Sequence, residues 1–148
     1  MLKRKYNILN ANYDPETGIS FVEIQTPLGN FSAHSRCLDE DRETISSFFG
    51  CQVAEMKAFV KYANRQIQHQ KDRIKILTET YKEMEEIYNF NYNSVEAIFT
   101  RKKIEREENK LAEMYENKDL IKKHIQFLIF NRDNYLKKLW SKTNKISE

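Results

Sequence analysis

The stretch that decides the fold runs from Val53 to Tyr88, VAEMKAFVKYANRQIQHQKDRIKILTETYKEMEEIY. Stepping alternately by three and four residues meets Val53, Met56, Val60, Ala63, Ile67, Gln70, Ile74, Leu77, Tyr81, Met84 and Tyr88, and only Gln70 breaks the apolar register. A heptad seam sustained this far is the mark of a helix that packs along its whole length on another helix. At 1.5 Å per residue it predicts a rod about 55 Å long, more than an ordinary globular core needs.

A second seam follows: Ile104, Leu111, Met114, Lys118, Ile121, Ile125, Leu128, Arg132, Tyr135 and Leu139. Between the two lies Asn89-Phe90-Asn91-Tyr92-Asn93-Ser94, rich in residues that favour turns and helix caps, with Asn93 or Ser94 placed to cap the second helix. A short connection between two long helices makes them antiparallel neighbours. If the chain folds back near Tyr92, facing residues have numbers summing to roughly 183. Gln70 is then expected to face the Glu113–Lys118 region, and Arg132 to lie near Cys51–Glu55.

The first forty residues have a different character. Tyr6, Ile8 and Tyr13 flank a first extended segment, and Asp14-Pro15-Glu16-Thr17-Gly18 is a turn, because Pro15 fixes φ and Gly18 accepts a positive φ. Ile19–Thr26 is a strand on its β-branched and aromatic content, with Val22 and Ile24 on one side and Ile19, Phe21 and Glu23 on the other. Pro27-Leu28-Gly29-Asn30 turns the chain into a third strand over Phe31–Cys37. Asp39-Glu40-Asp41 opens a short helix through Ile45, Phe48 and Phe49, with Gly50 as its C-cap.

The predicted fold is therefore α+β, mostly α. A small N-terminal antiparallel β-meander (1–38) precedes a short helix and a long coiled-coil-like antiparallel helical hairpin (39–148, with helices at 51–88 and 94–140), all packed as one domain.

Composition agrees with a helix-rich chain: of 148 residues, 40% are hydrophobic and 32% charged, with 3 Gly and 2 Pro. No apolar run approaches the length of a membrane span, and the opening residues Met1–Tyr6 lack the apolar core of a signal peptide. Two lone cysteines, Cys37 and Cys51, point to a reducing cytoplasm. The formal charge of +3 is unevenly placed: Asp39–Gly50 carries −3 and Lys118–Lys145 carries +6. Such asymmetry hints at self-association or an anionic partner at the C-terminal end, with a solvated basic helix face as the blander explanation.

Neither a phosphate-binding glycine loop nor a HExxH pair is present, so no cofactor is expected. A zinc site from His34, Cys37 and Cys51 fits no standard spacing. Ser46 and Ser47 have no base beside them, and the chain reads as a non-enzyme. Binding has more support. Arg101, Lys102, Lys103, Arg106 and Lys110 form a basic strip beside Phe90, Tyr92 and Phe99, the combination of cations and stacking rings that a nucleotide needs. The competing reading packs Phe90 and Tyr92 into the hairpin tip and pairs the strip with Glu105, Glu107 and Glu108. Phe90, Tyr92, Arg101, Lys102 and Arg106 are accordingly the candidate ligand residues. Phe59, Tyr62 and Ile76 lie off the first seam, and Phe127, Ile129, Phe130 and Trp140 off the second. Either the meander covers them or a second copy does. Phe59, Tyr62, Ile76, Phe127, Phe130 and Trp140 are therefore the candidate interface residues, with a homo-oligomer favoured.

The segment Thr26-Pro27-Leu28-Gly29-Asn30-Phe31, followed by Asp41, Phe48-Phe49-Gly50-Cys51 and Ala54-Glu55-Met56-Lys57-Ala58, resembles small bacteriophage accessory proteins of Gram-positive hosts, a group without an assigned activity. The likeness spans roughly residues 20–90 and transfers no functional residue. It implies a phage accessory role and no defined activity; the reading taken from it is a non-catalytic viral protein in the host bacterial cytoplasm, an inhibitor with an anti-defence role that sequesters a signalling nucleotide or blocks a defence protein. A phage structural, assembly or nucleic-acid-associated role is the alternative, in which the basic stretch Lys137, Lys138, Lys142 and Lys145 carries the binding.

Overall fold

The structure is a computed structural model that describes residues 6–36, 45–87 and 94–146, with side chains described except at 45–48, 87 and 132–146. Three strands, β1 (Asn7–Asp14), β2 (Ile19–Thr26) and β3 (Gly29–Arg36), precede two helices, α1 (Ile45–Ile87) and α2 (Val95–Ile146). This is the expected mostly helical α+β chain, a meander followed by a helical hairpin.

Both turns form where the sequence places them, and the side chains of Asp14 and Thr26 brace them. The Gly18 N–H donates to the Asp14 carbonyl at 2.8 Å with Gly18 at φ 71°, and the Asp14 carboxylate accepts from the Glu16 N–H at 2.9 Å and the Thr17 hydroxyl at 3.0 Å. At the second turn the Thr26 hydroxyl donates to the Gly29 carbonyl at 2.6 Å and accepts from the Leu28 N–H. Gly29 sits at φ 119°, which side-chain-bearing residues rarely adopt. The sheet is antiparallel in the order β1-β2-β3, with Val22 opposite Ala33, Ile24 opposite Phe31, and a register shift in β1 between Ile8 and Asn10.

The chain forms two compact units, one of Met1–Tyr62 with Asp119–Glu148 and one of Ala63–Lys118. In the first, Val22, Ile24 and Ala33 meet Tyr6, Ala54, Ala58 and Tyr62 in a buried cluster, with Leu28, Phe31, Cys51 and Phe59 packed against it. The alanines let the helix approach the sheet closely. The Phe59 ring lies 5.1 Å from Tyr6, and Tyr62 lies 5.9 Å from Phe31. Val53, Met56, Ile121 and Leu128, all seam residues, are buried in the same unit.

In the second unit, Ala63, Ile67 and Gln70 of the α1 seam are buried, whereas Ile74, Leu77, Tyr81 and Met84 are half-buried, as are Ile104, Leu111 and Met114 of α2. The Ser94 hydroxyl caps α2, accepting from the Ala97 N–H at 3.2 Å.

Three expectations are corrected. The helix does not stop at Gly50: α1 runs unbroken from Ile45, and Gly50 is a buried interior residue. Packing around the buried Val53 and Ala54 outweighs the cost of about 1 kcal/mol for an interior glycine. The proposed opening of the short helix at Asp39-Glu40-Asp41 lies outside the described residues. Next, Gln70 does not face Glu113–Lys118. Its amide donates to both the carbonyl of Glu107, at 2.8 Å, and the carboxylate of Glu107, at 2.6 Å. A polar seam residue does meet a polar partner, but nearer the fold-back, where a carboxylate and a carbonyl together satisfy both amide protons. Finally, Tyr62 is not left for a second copy, because it is only 4% exposed in the cluster that holds the sheet, while Phe59 packs half-buried against the same cluster. The side chain of Arg132 is outside the described residues, although Glu55, its expected neighbour, is buried.

The Gln70–Glu107 pair makes stability pH-dependent. The Gln70 amide holds the Glu107 carboxyl below the ordinary carboxylate range; burial opposes this, and Lys110 and Arg73, at 3.4 and 3.6 Å, add to the lowering. A depressed carboxylate stabilises the fold above its unfolded pKa, and the stabilisation disappears as the pH falls through the folded value. The wild type is therefore expected to melt at a higher temperature than Glu107→Gln at about pH 6. The difference should shrink as the pH falls below the ordinary carboxylate range, in a thermal scan followed by circular dichroism. A difference that does not change with pH would rule out the charged form of Glu107 as its source.

Candidate anion-binding groove

Beside the sheet, in the unit that contains it, a groove of about 460 Å³ is lined by Ala33 and His34 of β3, Lys57, Val60 and Lys61 of α1, and Lys122 and Ile125 of α2. Such a volume is ordinary for a small-molecule site. β3 is an edge strand, so every second residue turns its carbonyl outward, away from β2. The Lys61 ammonium donates to the Ser32 carbonyl at 2.6 Å and the Lys57 ammonium to the His34 carbonyl at 3.5 Å. Lysines on an edge keep other strands from pairing with it, and this is their structural role here.

That role leaves capacity to spare. An ammonium has three donors, and one strand carbonyl engages only one of them. Lys57 and Lys61 are one turn apart on α1 with no acidic residue three or four positions away on either side. Lys122 enters from α2, where Asp119 is the one acid a turn away. No carboxylate is among the lining residues, so Lys57, Lys61 and Lys122 line one open cleft with His34 and no acid beside them. Val60, Ile125 and Ala33 supply the apolar part of the wall. Concentrated positive charge on a low-dielectric wall focuses potential and attracts an anion; the apolar wall favours one that carries a ring or sugar.

The candidate ligand residues lie elsewhere. Lys102 and Arg106 are exposed and one turn apart on α2, and Arg101 is half-buried. None lines the groove. Phe90 and Tyr92 lie outside the described residues. Glu107 pairs with Lys110 of the strip at 3.4 Å, as the competing reading has it, and also meets Gln70 and Arg73, so it leaves Lys102 and Arg106 unneutralised. Of the candidate interface residues, Ile76, Phe127 and Phe130 are exposed, Phe127 stacks on His124 with ring centres 6.3 Å apart, and the side chain of Trp140 is outside the described residues.

Among the described residues no group of three His, Cys, Asp or Glu is placed to hold a metal. Cys51 is a half-buried free thiol, and Cys37 lies outside the described residues. No described helix is long and apolar enough to cross a membrane. Compared with known proteins, the chain matches no family model, no curated protein and no solved structure.

Sequence reading missed the groove because its walls come from a strand edge and two distant helical segments. One local signal was available: Lys57 and Lys61, stacked one turn apart without a neutralising acid.

Proposed function

We propose that this chain acts without catalysis, by binding, as a homo-oligomeric antagonist of bacterial antiviral defence in the host cytoplasm. The sequence resemblance implies a phage accessory role, with which this reading is consistent. What it captures is an anionic signalling nucleotide, held in the groove between Lys57, Lys61 and Lys122. The convergence of three lysines on one cleft without a lining carboxylate carries this reading. Phosphate oxygens accept from the ammonium donors left over by the β3 carbonyls, while Val60 and Ile125 face the base or ribose. Because the strand already positions Lys61, less side-chain freedom is lost on binding than for a free surface lysine.

The test is a thermal-shift screen of the wild-type chain against linear and cyclic nucleotides, with nucleosides as uncharged controls. A ligand that binds only the folded form at a hundredfold excess over its dissociation constant stabilises by about 2.7 kcal/mol, a clear rise in melting temperature. Stabilisation by nucleotides and not by nucleosides supports sequestration; equal and negligible shifts for both would remove it.

A second reading, direct blocking of a defence protein, draws on Leu120, Phe127 and Phe130, which are more than half exposed on α2. Large apolar side chains exposed together mark protein-binding surfaces more often than ligand pockets. In that case nucleotides leave the melting temperature unchanged, and Phe127→Ser/Phe130→Ser abolishes inhibition.

A further inference from the structure

On α2, within the unit Ala63–Lys118, the residues Phe99, Lys102, Arg106, Asn109, Glu113 and Glu116 follow one another at alternating steps of three and four. All of them are exposed. They form a second heptad stripe, turned away from the seam residues Ile104, Leu111 and Met114.

The charge along this stripe is segregated by sign. Lys102 and Arg106 come before Asn109, and Glu113 and Glu116 follow it at nearly equal distances. Within one chain the arrangement is unfavourable, because like charges one turn apart on a helix repel. The neighbours of Arg106 three and four positions away are Lys102, Lys103, Asn109 and Lys110, and Lys110 is occupied by Glu107 at 3.4 Å. No cation stands one turn from Glu116 in either direction. Among the described residues Lys102, Arg106, Glu113 and Glu116 take part in no ion pair.

We propose that the stripe is a docking surface for a second copy of this chain, antiparallel and centred on Asn109. The two-fold then sets Arg106 of each copy against Glu113 of the other and Lys102 against Glu116, so that every repulsion within a chain is answered by an attraction between chains. Asn109 meets its own equivalent at the axis, where a paired amide fixes register. A parallel pairing would set like charges face to face and is excluded by the same pattern. Phe99, 61% exposed, continues the stripe toward the hairpin tip. The contact spans about 25 Å of helix and is dominated by exposed ion pairs, so it weakens as salt rises. The inference rests on the oligomeric part of the proposed function and is independent of the lysine groove.

Sedimentation velocity tests it, on the full chain at low ionic strength and high micromolar concentration. The wild type is expected to be a dimer that dissociates with added salt. Arg106→Glu and Glu113→Arg each turn two attractions into repulsions and are expected to weaken association by about tenfold or more. Mixing the two variants in equal amounts restores the dimer, because Glu at 106 now meets Arg at 113 across the axis in one direction and the native pair forms in the other. Restoration cannot come from variants that fail to fold. A monomeric wild type, a single variant that associates like the wild type, or a mixture that stays monomeric would each overturn the proposal. Nucleotide titration of the Arg106→Glu monomer reads the groove separately, so either idea can fail alone.

Discussion

Replacing Ile24 by alanine is expected to lower the free energy of unfolding by about 2–5 kcal/mol, as for other large-to-small changes in tight cores. Ile24 is fully buried at the centre of β2, the middle strand, and belongs to the cluster that holds the sheet on α1. The space it vacates cannot close easily. Its cross-strand neighbours are fixed by ladder hydrogen bonds, and the helix beneath presents Ala54 and Ala58, which have no longer side chain to move in. Because a three-stranded meander is marginal alone, loss of this contact should release the whole sheet. Urea denaturation followed by tyrosine fluorescence checks the value, since Tyr6 and Tyr62 sit in the same cluster. A loss below about 1 kcal/mol would mean that the sheet does not depend on the helix for its order.

The second large effect concerns the groove. Hydrogen bonds to charged groups contribute about 1.5–3 kcal/mol each, so removing one lysine that contacts a phosphate should weaken binding by roughly 10- to 100-fold. Lys57→Ala is the cleaner variant, because its 3.5 Å contact with the His34 carbonyl is long and its loss should disturb β3 little. Lys61→Ala removes a 2.6 Å bond to Ser32 as well and is expected to cost stability in addition to affinity. Lys57→Glu places a carboxylate in the cleft and should abolish binding altogether. Lys122→Ala separates the explanations. Among the described residues Lys122 makes no hydrogen bond to the strand, so an affinity loss there reflects ligand contact alone.

Much of the fold was legible because it is written in local periodicity and turn chemistry. The seam from Val53 and its counterpart from Ile104 predicted the hairpin, Asp14–Gly18 and Pro27–Asn30 marked the turns, and Ser94 was one of two residues offered as the cap. What could not be read depends on contacts distant in sequence. Gly50 has the chemistry of a helix end, and only its burial in α1 shows that packing prevails. Gln70 was visible as a polar break in the seam, yet which carboxylate it meets depends on side-chain reach across a helix pair. Phe59 and Tyr62 looked surplus because a short meander promises little covering area, while the sheet in fact seats Tyr6 and Phe31 on them. The groove was hidden for the same reason: its cations are neighbours only after β3 has been laid beside α1. The strip at Arg101–Arg106 was visible as charge, but its sign reversal across Asn109 acquires meaning only once those side chains are known to face outward.

Isothermal titration of the wild-type chain and of Lys57→Glu with the nucleotide that gives the largest thermal shift tests the central claim most directly. The account predicts saturable, salt-sensitive binding by the wild type and none by Lys57→Glu, with both proteins folded by circular dichroism. Binding of equal strength by both, or no binding by the wild type to any nucleotide tried, would contradict it.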